Sequence, residues 1–149
     1  MADTQPLQTI GLLFRSINVS FRQEIDKALR ESGIELSFGE ISPMSILRFH
    51  PGSNGAQLAR HSMVSAQAMN AVLRRLATKK YLERRAHPDN LRADSWHLTE
   101  KGVRMLDRAR GAFEIVTSRM VSGLSAQQVN NLEKYLRSCA TSLGDNGEE

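Results

Sequence analysis

The sequence predicts a mainly α-helical (α+β) fold with one small β-hairpin. Apolar residues recur at three- and four-residue steps in long segments near both ends of the chain, which is typical of amphipathic helices. Between them, two short segments that can alternate faces as strands flank the turn-forming sequence HPDN, which indicates a hairpin. The 149 residues are enough for one domain, over residues 1–149, with its own hydrophobic core.

The first two helices are marked by an apolar stripe and by a capping pattern. The first is predicted over residues 7–30, with a stripe formed by Ile10, Leu13, Phe14, Ile17, Phe21, Ile25 and Leu29. A second helix is predicted to start at Ser37, because Glu40 stands three residues later, as in a capping box. Pro43 is expected either to kink this helix or to mark its true first turn.

Two further helices are predicted close together, over about residues 54–80. Asn54 and Gln57 form a second capping pattern, which opens a short helix ending near His61. After a brief turn, Ser65 is the expected N-cap of a longer helix. A short helix, a turn and a longer helix in this order are typical of a helix-turn-helix motif.

The predicted hairpin follows directly, over about residues 81–98. A helix-turn-helix followed by a two-stranded ribbon is a winged helix, so residues 37–98 are predicted to form a winged-helix lobe. Two more amphipathic helices are predicted over residues 99–143. Because helix 7–30 and helices 99–143 carry more apolar surface than one small body covers, we expect them to form the interface of a homodimer.

Positive charge is concentrated in the predicted winged-helix lobe. The whole chain has a net charge of +4 and a sequence pI near 9.6. Residues 54–98 contain eight Arg and Lys against three Asp and Glu, a net charge of +5, which leaves −1 for the rest of the chain. A basic winged helix predicts double-stranded DNA as the partner, although a basic segment alone is also compatible with a solvated charged surface.

The longer helix of the motif presents candidate DNA-binding side chains. If its apolar residues are buried, Gln67, Asn70 and Arg74 point outward. Gln and Asn can each form two hydrogen bonds with adenine in the major groove, but they also occur as plain polar helix surface. Ser65 offers its hydroxyl and the helix N-terminus to a phosphate. Further candidates for phosphate contacts are basic residues on this helix and the first strand: Arg74, Arg75, Lys79 and Arg84.

These elements resemble the MarR family of bacterial transcriptional regulators (multiple antibiotic resistance regulator type). The most specific segment of the resemblance is QLARHSMVSAQAMNAVLRRLATKKYLERRAHPDNLRADSWHLTEKG. GLSAQQ matches the family's linker before the last helix, and the resemblance covers nearly the whole chain. It implies a symmetric dimer in which two winged helices bind a pseudo-palindromic operator, usually to repress transcription.

The resemblance also implies roles for residues of the wing and the turns. Arg92 corresponds to the wing-tip arginine that enters the minor groove of DNA. Where the family has an acid two places before this arginine, the chain has Asn90, with Asp89 one place earlier. Lys80 stands where the family usually has Gly, so it must adopt the left-handed backbone conformation or the helix must end differently. Met63 likewise replaces a common Gly in the turn.

Regulators that resemble this chain are often released from DNA by small aromatic acids or phenols, bound between the dimer helices and the winged helix. Candidate contacts for the carboxylate of such an effector are Arg15 and Arg22. Candidate apolar walls are Phe38, Met44 and Phe49. For each of these side chains, plain surface or core packing is the alternative role.

The sequence offers no pattern for a metal site, a cofactor or catalysis. Its four His are scattered, it has no Gly-rich phosphate loop, and no apolar run approaches the roughly 20 residues of a membrane span. The single cysteine, Cys139, excludes an intrachain disulfide and is expected to be a small buried residue of the last helix. We therefore expect a cytoplasmic, nucleoid-associated regulator that is not an enzyme.

Two other classes of function remain open on the sequence alone. One is a DNA-binding architectural or constitutive factor without a ligand switch. The other is a small enzyme or interaction module that shares only the scaffold. DNA binding that no aromatic acid alters would favour the first, and DNA binding that is indifferent to Asn70 and Arg92 would favour the second.

Overall fold

The computed structural model describes residues 4–86, 89 and 94–144. Within these ranges the elements follow in the order α1 (Thr4–Glu31), α2 (Phe38–Phe49), α3 (Gly55–His61), α4 (Ala66–Thr78), β1 (Leu82–Ala86), β2 (Asp94–Leu98), α5 (Glu100–Met120) and α6 (Ala126–Ser142). The strands pair antiparallel, with Leu82 opposite Leu98 and Ala86 opposite Asp94. The predicted mainly helical fold with one hairpin is confirmed.

Side-chain caps start the helices at the predicted places. Glu40 accepts a hydrogen bond from the backbone N–H of Ser37 at 3.0 Å. Asn54 and Gln57 cap each other's backbone N–H groups at 2.9 and 2.8 Å. Three further caps accept from the N–H three residues on: Ser65, Thr99 and Ser125. Each of these bonds satisfies a donor that has no partner inside the helix, which is why these polar residues fix the helix boundaries.

The start of α2 decides between the two roles predicted for Pro43, a position inside the helix or a position in its first turn. It begins at Phe38, so Pro43 lies inside the helix and not in its first turn. Pro43 is buried along with Ile41, Met44 and Leu47. Burial against the core compensates for the backbone hydrogen bond that proline cannot donate.

The hydrophobic core lies where α2, α3, α4 and the wing meet the C-terminal end of α1 and the middle of α5. The largest fully buried side chains include Ile25, Leu29, Ile34, Ile41, Met44, Leu47, Leu58, Met69, Leu73 and Leu76. Leu82 and Trp96, one from each strand, are also buried, so the base of the hairpin is packed onto the helices. The core thereby fixes the position of the hairpin relative to α4.

The N-terminal half of α1 and the whole of α6 contribute little to this core. Of the predicted stripe on α1, only Ile25 and Leu29 are buried, while Ile10, Leu13, Phe14 and Ile17 are at least half exposed. None of the residues of α6 is buried. The prediction that Cys139 is buried is wrong for a single chain, where it is exposed because α6 extends away from the core. Both helices thus present apolar side chains that one chain does not cover.

Candidate nucleic-acid interface

The recognition helix α4 separates its buried and exposed sides as the sequence predicts. Met69, Leu73 and Leu76 are almost completely buried. Gln67, Asn70 and Arg74 lie on the exposed side. The apolar residues therefore orient the polar ones, since burying the first set on one side of a helix leaves the second set on the other.

A concave surface lies between α4 and the wing, and we refer to it as the α4–wing groove. It has a volume of about 670 Å³ and is lined by Asn54, Gly55, Ala56, Gln67, Asn70, Arg74, Arg84, Asp94 and Trp96. Four residues predicted as DNA contacts from the sequence, Gln67, Asn70, Arg74 and Arg84, thus share one groove. It combines amide side chains able to contact base edges with two guanidinium groups able to contact phosphates.

Two pairwise contacts shape this groove. Arg84 and Asp94 form an ion pair across the wing, with 3.3 Å between Nη1 and Oδ2. Both side chains are more than half exposed, so the pair contributes at most about 1 kcal/mol and leaves Arg84 able to exchange Asp94 for a phosphate. The amide of Asn70 lies against Gly55 at the start of α3, where a β-carbon would come within 3.0 Å of its Oδ1.

The remaining predicted DNA contacts lie elsewhere. Ser65 is exposed at the N-terminus of α4, where its hydroxyl accepts from the N–H of Ala68 at 3.1 Å. Arg75 does not line the groove but lies toward α2, with its Nε 3.7 Å from a carboxylate oxygen of Glu40. Arg92 and Asn90 lie outside the described residues. The predicted set is therefore divided among the groove, the helix start and the side of α4 toward α2.

The turns on either side of α4 contain Met63 and Lys80, which stand where the family pattern often has Gly. Of the two alternatives left open for Lys80, the structure shows the left-handed backbone conformation. Met63 has a φ of 54° and Lys80 a φ of 62°. The carbonyl of Lys80 accepts a hydrogen bond from the Thr99 hydroxyl at 2.7 Å, which links the end of α4 to the start of α5. A residue with a β-carbon costs about 1 kcal/mol in this conformation, so both ends of α4 are held at a conformational cost.

A second concave surface, the α2–α5 cavity, lies on another side of the molecule. It has a volume of about 330 Å³ and is lined by Ile41, Ser45, Arg48, Phe49, Leu106, Ala109, Arg110 and Phe113. Arg48 forms an ion pair with Asp107 at 2.8 Å, which joins α2 to α5 beside the cavity. Two guanidinium groups and two aromatic rings around an apolar floor are suited to a small aromatic anion.

The residues predicted as effector contacts are only partly brought together. Phe49 lines the α2–α5 cavity, and the ring of Phe38 packs 6.0 Å from the ring of Phe113, another lining residue. Arg22 holds its guanidinium 4.9 Å from the centre of the Phe38 ring. Met44 does not contact the cavity, because it is completely buried in the core. Arg15 is exposed on α1 and does not line the cavity either.

Sequence reasoning did not identify Arg48 or Arg110 as candidates for this cavity. Their positions become related only when α2 packs on α5, about sixty residues later in the chain. No spacing within either helix signals that contact. Phe49 is the lining residue of this cavity that the sequence predicted, as a candidate apolar wall.

The environment of His97, in β2, shifts the pKa of its imidazole. Its Nε2 lies 2.8 Å from the hydroxyl of Ser95, a buried residue that lies opposite Arg85 in the hairpin. Burial lowers the pKa of His97 below its usual value of 6.5, the positive charge of Arg85 lowers it further, and Glu83 opposes this shift. The neutral imidazole is therefore the form that suits the folded wing.

The described ranges hold neither a membrane-spanning helix nor a metal-binding cluster. None of the helices there is both long enough and apolar enough to span a bilayer. In residues 4–86, 89 and 94–144, no group of three His, Cys, Asp or Glu side chains is arranged to hold a metal ion. The α4–wing groove and the α2–α5 cavity both combine charge with a concave shape. So does a smaller cavity of about 240 Å³ between α1 and α5, which is lined in part by Glu24 and Arg119.

Comparison with known proteins agrees with this geometry. A sequence model of the MarR family matches residues 36–93. The HTH-type transcriptional repressor Rv2887 of Mycobacterium tuberculosis is 32% identical over 136 residues, which cover 91% of this chain and 94% of the repressor.

Solved structures show the same fold. Apo MarR from E. coli superposes with a TM-score of 0.79 at 20% identity, covering 87% of this chain and 95% of the other. Rv2887 bound to salicylic acid gives a TM-score of 0.73 at 30% identity, with coverages of 87% and 94%. Rv2887 in complex with DNA gives 0.72 at 29% identity, with coverages of 87% and 95%. On the near full-length match to a repressor, the winged-helix geometry and the family pattern, the chain belongs to the MarR family of transcription regulators.

Proposed function

We propose that this MarR-type repressor acts as a homodimer that binds a pseudo-palindromic operator and is released from it by a small aromatic acid or phenol. The observation that carries DNA binding is the α4–wing groove, because it gathers amide and guanidinium side chains on the exposed side of the recognition helix. The relative Rv2887 was crystallised with DNA, which supports the same role for this chain.

Within the groove, the side chains divide into two roles. Gln67 and Asn70 contact base edges in the major groove, each able to discriminate adenine by about 1–3 kcal/mol. Arg74, Arg84 and, at the helix start, Ser65 contact phosphates, which sets affinity and its dependence on salt. The family pattern supports a further contact of Arg92 with the minor groove. Arg75 is paired with Glu40, so it can contact a phosphate only when this ion pair opens.

The uncovered apolar surfaces support a dimer as the DNA-binding unit. The N-terminal half of α1 exposes Leu7, Ile10, Leu13, Phe14 and Ile17. In α6 the large apolar Leu136 is exposed as well. A second copy that buries these residues would place two recognition helices in a two-fold arrangement, which matches a palindromic operator.

The α2–α5 cavity supports an effector of aromatic-acid type. Its volume of about 330 Å³ is within the range of small-ligand sites. Arg48 or Arg110 would pair with the carboxylate, and Phe49 and Phe113 would contact the ring. Arg22 and Phe38 adjoin this site through Phe113. The relative Rv2887 was crystallised with salicylic acid, which supports the same ligand class.

The experiment that tests this function has two stages. The wild-type protein first selects binding sites from a pool of random duplex DNA, and the enriched site is tested for two-fold symmetry. Salicylic acid and other one-ring acids and phenols are then titrated into the complex. We expect a palindromic site and release by at least one acid. A site that no acid releases would indicate a constitutive DNA-binding factor, and the absence of any enriched site would contradict operator binding.

A further inference from the structure

A buried carboxylate lies against the basic side of the recognition helix. Glu40, in the first turn of α2, is only 8% exposed. Its Oε1 lies 3.7 Å from Nε of Arg75 and 3.5 Å from Nζ of Lys79. Its Oε2 accepts a hydrogen bond from the backbone N–H of Ser37 at 3.0 Å. One side chain therefore both caps α2 and faces two cations of α4.

The two cations are placed to act together. Arg75 and Lys79 are four residues apart, so they lie on the same side of α4, one turn from each other. Their side chains are 55% and 42% exposed, which means that neither is fixed by burial. The adjacent Arg74 points instead into the α4–wing groove. The side of α4 toward α2 thus carries two positive charges that face Glu40. The Nζ of Lys79 also lies 3.5 Å from the backbone carbonyl of Glu35.

Free cations on a recognition helix have a predictable effect on DNA binding. Each Lys or Arg that pairs with a phosphate releases counterions, which strengthens binding to any sequence and steepens its dependence on salt. Such contacts position a protein but do not distinguish bases. Extra cations at the end of α4 would therefore raise the affinity for random DNA without raising the ratio of operator affinity to random-sequence affinity.

We infer that Glu40 is a specificity-determining residue, which holds Arg75 and Lys79 against α2 and thereby limits the sequence-independent attraction of the recognition helix for DNA. This inference rests on the proposed DNA binding. The competing explanation is that Glu40 serves only as the capping residue of α2. Because Gln caps a helix at this position as well as Glu does, replacing Glu40 by Gln removes the charge and keeps the cap.

The test compares the wild type with Glu40→Gln on two duplexes, the selected operator and random sequence, over a series of salt concentrations. We expect the variant to bind random DNA severalfold more tightly. The slope of log affinity against log salt should steepen by about 0.9 for each released cation that reaches a phosphate, so by about 1.8 for both. The ratio of operator affinity to random-sequence affinity should fall.

The control variant makes the same change of charge at an exposed ion pair that does not involve α4. Glu31→Gln at the end of α1 removes a partner of Lys27, whose Nζ lies 4.0 Å from the Glu31 carboxylate. It should leave the slope unchanged. Adding Arg75→Ala and Lys79→Ala to Glu40→Gln should return the slope to the wild-type value. An unchanged or shallower slope in Glu40→Gln, or an equal steepening in Glu31→Gln, would overturn the inference.

A second measurement covers the case in which Glu40→Gln does not fold, as judged by thermal unfolding. In the wild-type background, Arg75→Ala with Lys79→Ala should change random-sequence binding little, because Glu40 already holds both cations. A large loss of random-sequence affinity in that double variant would contradict the inference. Wild-type protein that binds no DNA at all would instead contradict the proposed function.

Discussion

The side-chain oxygen of Asn70 lies 3.0 Å from the point that a β-carbon on Gly55 would occupy. Gly55 is the first residue of α3, and Asn70 lies on the exposed side of the recognition helix. The glycine therefore leaves the room that the asparagine amide uses. A residue outside α4 thus restricts where a candidate base contact can point.

Gly55→Ala should displace the Asn70 amide and weaken operator recognition. We expect the variant to lose about 1–3 kcal/mol of discrimination between the operator and a site altered at one base pair, as Asn70→Ala would. Affinity for random DNA should change little, because phosphate contacts are kept. Gly39→Ala in α2 is the control, since its β-carbon would meet nothing closer than 3.8 Å. Unaltered discrimination in both Gly55→Ala and Asn70→Ala would show that Asn70 does not contact a base.

Two arginines of the wing, Arg84 and Arg92, should differ in the kind of DNA binding that they support. Arg84→Ala removes a phosphate contact, so the affinities for operator and for random DNA should fall together. The slope of log affinity against log salt should become shallower by about 1. Arg92→Ala should lower the affinity for the operator more than the affinity for random DNA if Arg92 enters a narrow A·T minor groove. Titrations of both duplexes over a range of salt measure both effects. Equal weakening of the two duplexes by Arg92→Ala would indicate a simple phosphate contact.

A close approach of backbone to backbone fixes the start of α5. A β-carbon on Gly102 would overlap the carbonyl oxygen of Tyr81, which immediately precedes the wing. Gly102→Ala should therefore lower the free energy of unfolding by about 1–3 kcal/mol or more, because rigid backbone must shift. Gly111→Ala in the same helix is the matched control, since its β-carbon would meet nothing within 4 Å. The control should be neutral or slightly stabilising in chemical denaturation, because Ala favours helix over Gly.

Local patterns in the sequence predicted some features of this molecule, whereas contacts between distant residues could not be predicted. Helix starts, the buried side of α4 and the hairpin depend on residues within a few positions of one another, so caps and periodicity predicted them. The contact of Glu40 with Arg75 and the cavity beside Arg48 and Arg110 join residues distant in the chain. They depend on how helices pack, which no local pattern encodes. The wrong prediction for Cys139 has a related cause. The apolar side of an amphipathic helix such as α6 indicates a surface that is to be buried, but not whether the same chain or a second copy buries it.

The left-handed backbone at Lys80 offers a test of local cost. Lys80→Gly should raise the free energy of unfolding by about 1 kcal/mol, because glycine adopts a φ of 62° without the clash of a β-carbon. Lys80→Ala removes the same charge but keeps the β-carbon, so it should not share this gain. Chemical denaturation of both variants measures the difference. Equal stability of the two would mean that the conformation carries no cost at this turn.

The environment of His97 predicts that the protein becomes less stable in mild acid. Burial and Arg85 lower the pKa of His97 in the folded wing below 6.5, the value expected in the unfolded chain. As the pH falls through 6.5, the unfolded chain therefore takes up this proton before the folded protein does. The free energy of unfolding should then decrease with decreasing pH until the lower, folded pKa is passed. The stabilisation from neutral His97 is thus fully present above 6.5 and lost below it.

Chemical denaturation at several pH values between about 5 and 8 measures this loss, since that range contains the usual histidine pKa. His97→Gln removes the titrating group and should flatten the pH dependence, whereas His50→Gln, at an exposed histidine, should leave it in place. Identical pH profiles for the wild type and His97→Gln would show that the partly buried imidazole of His97 does not make stability depend on pH.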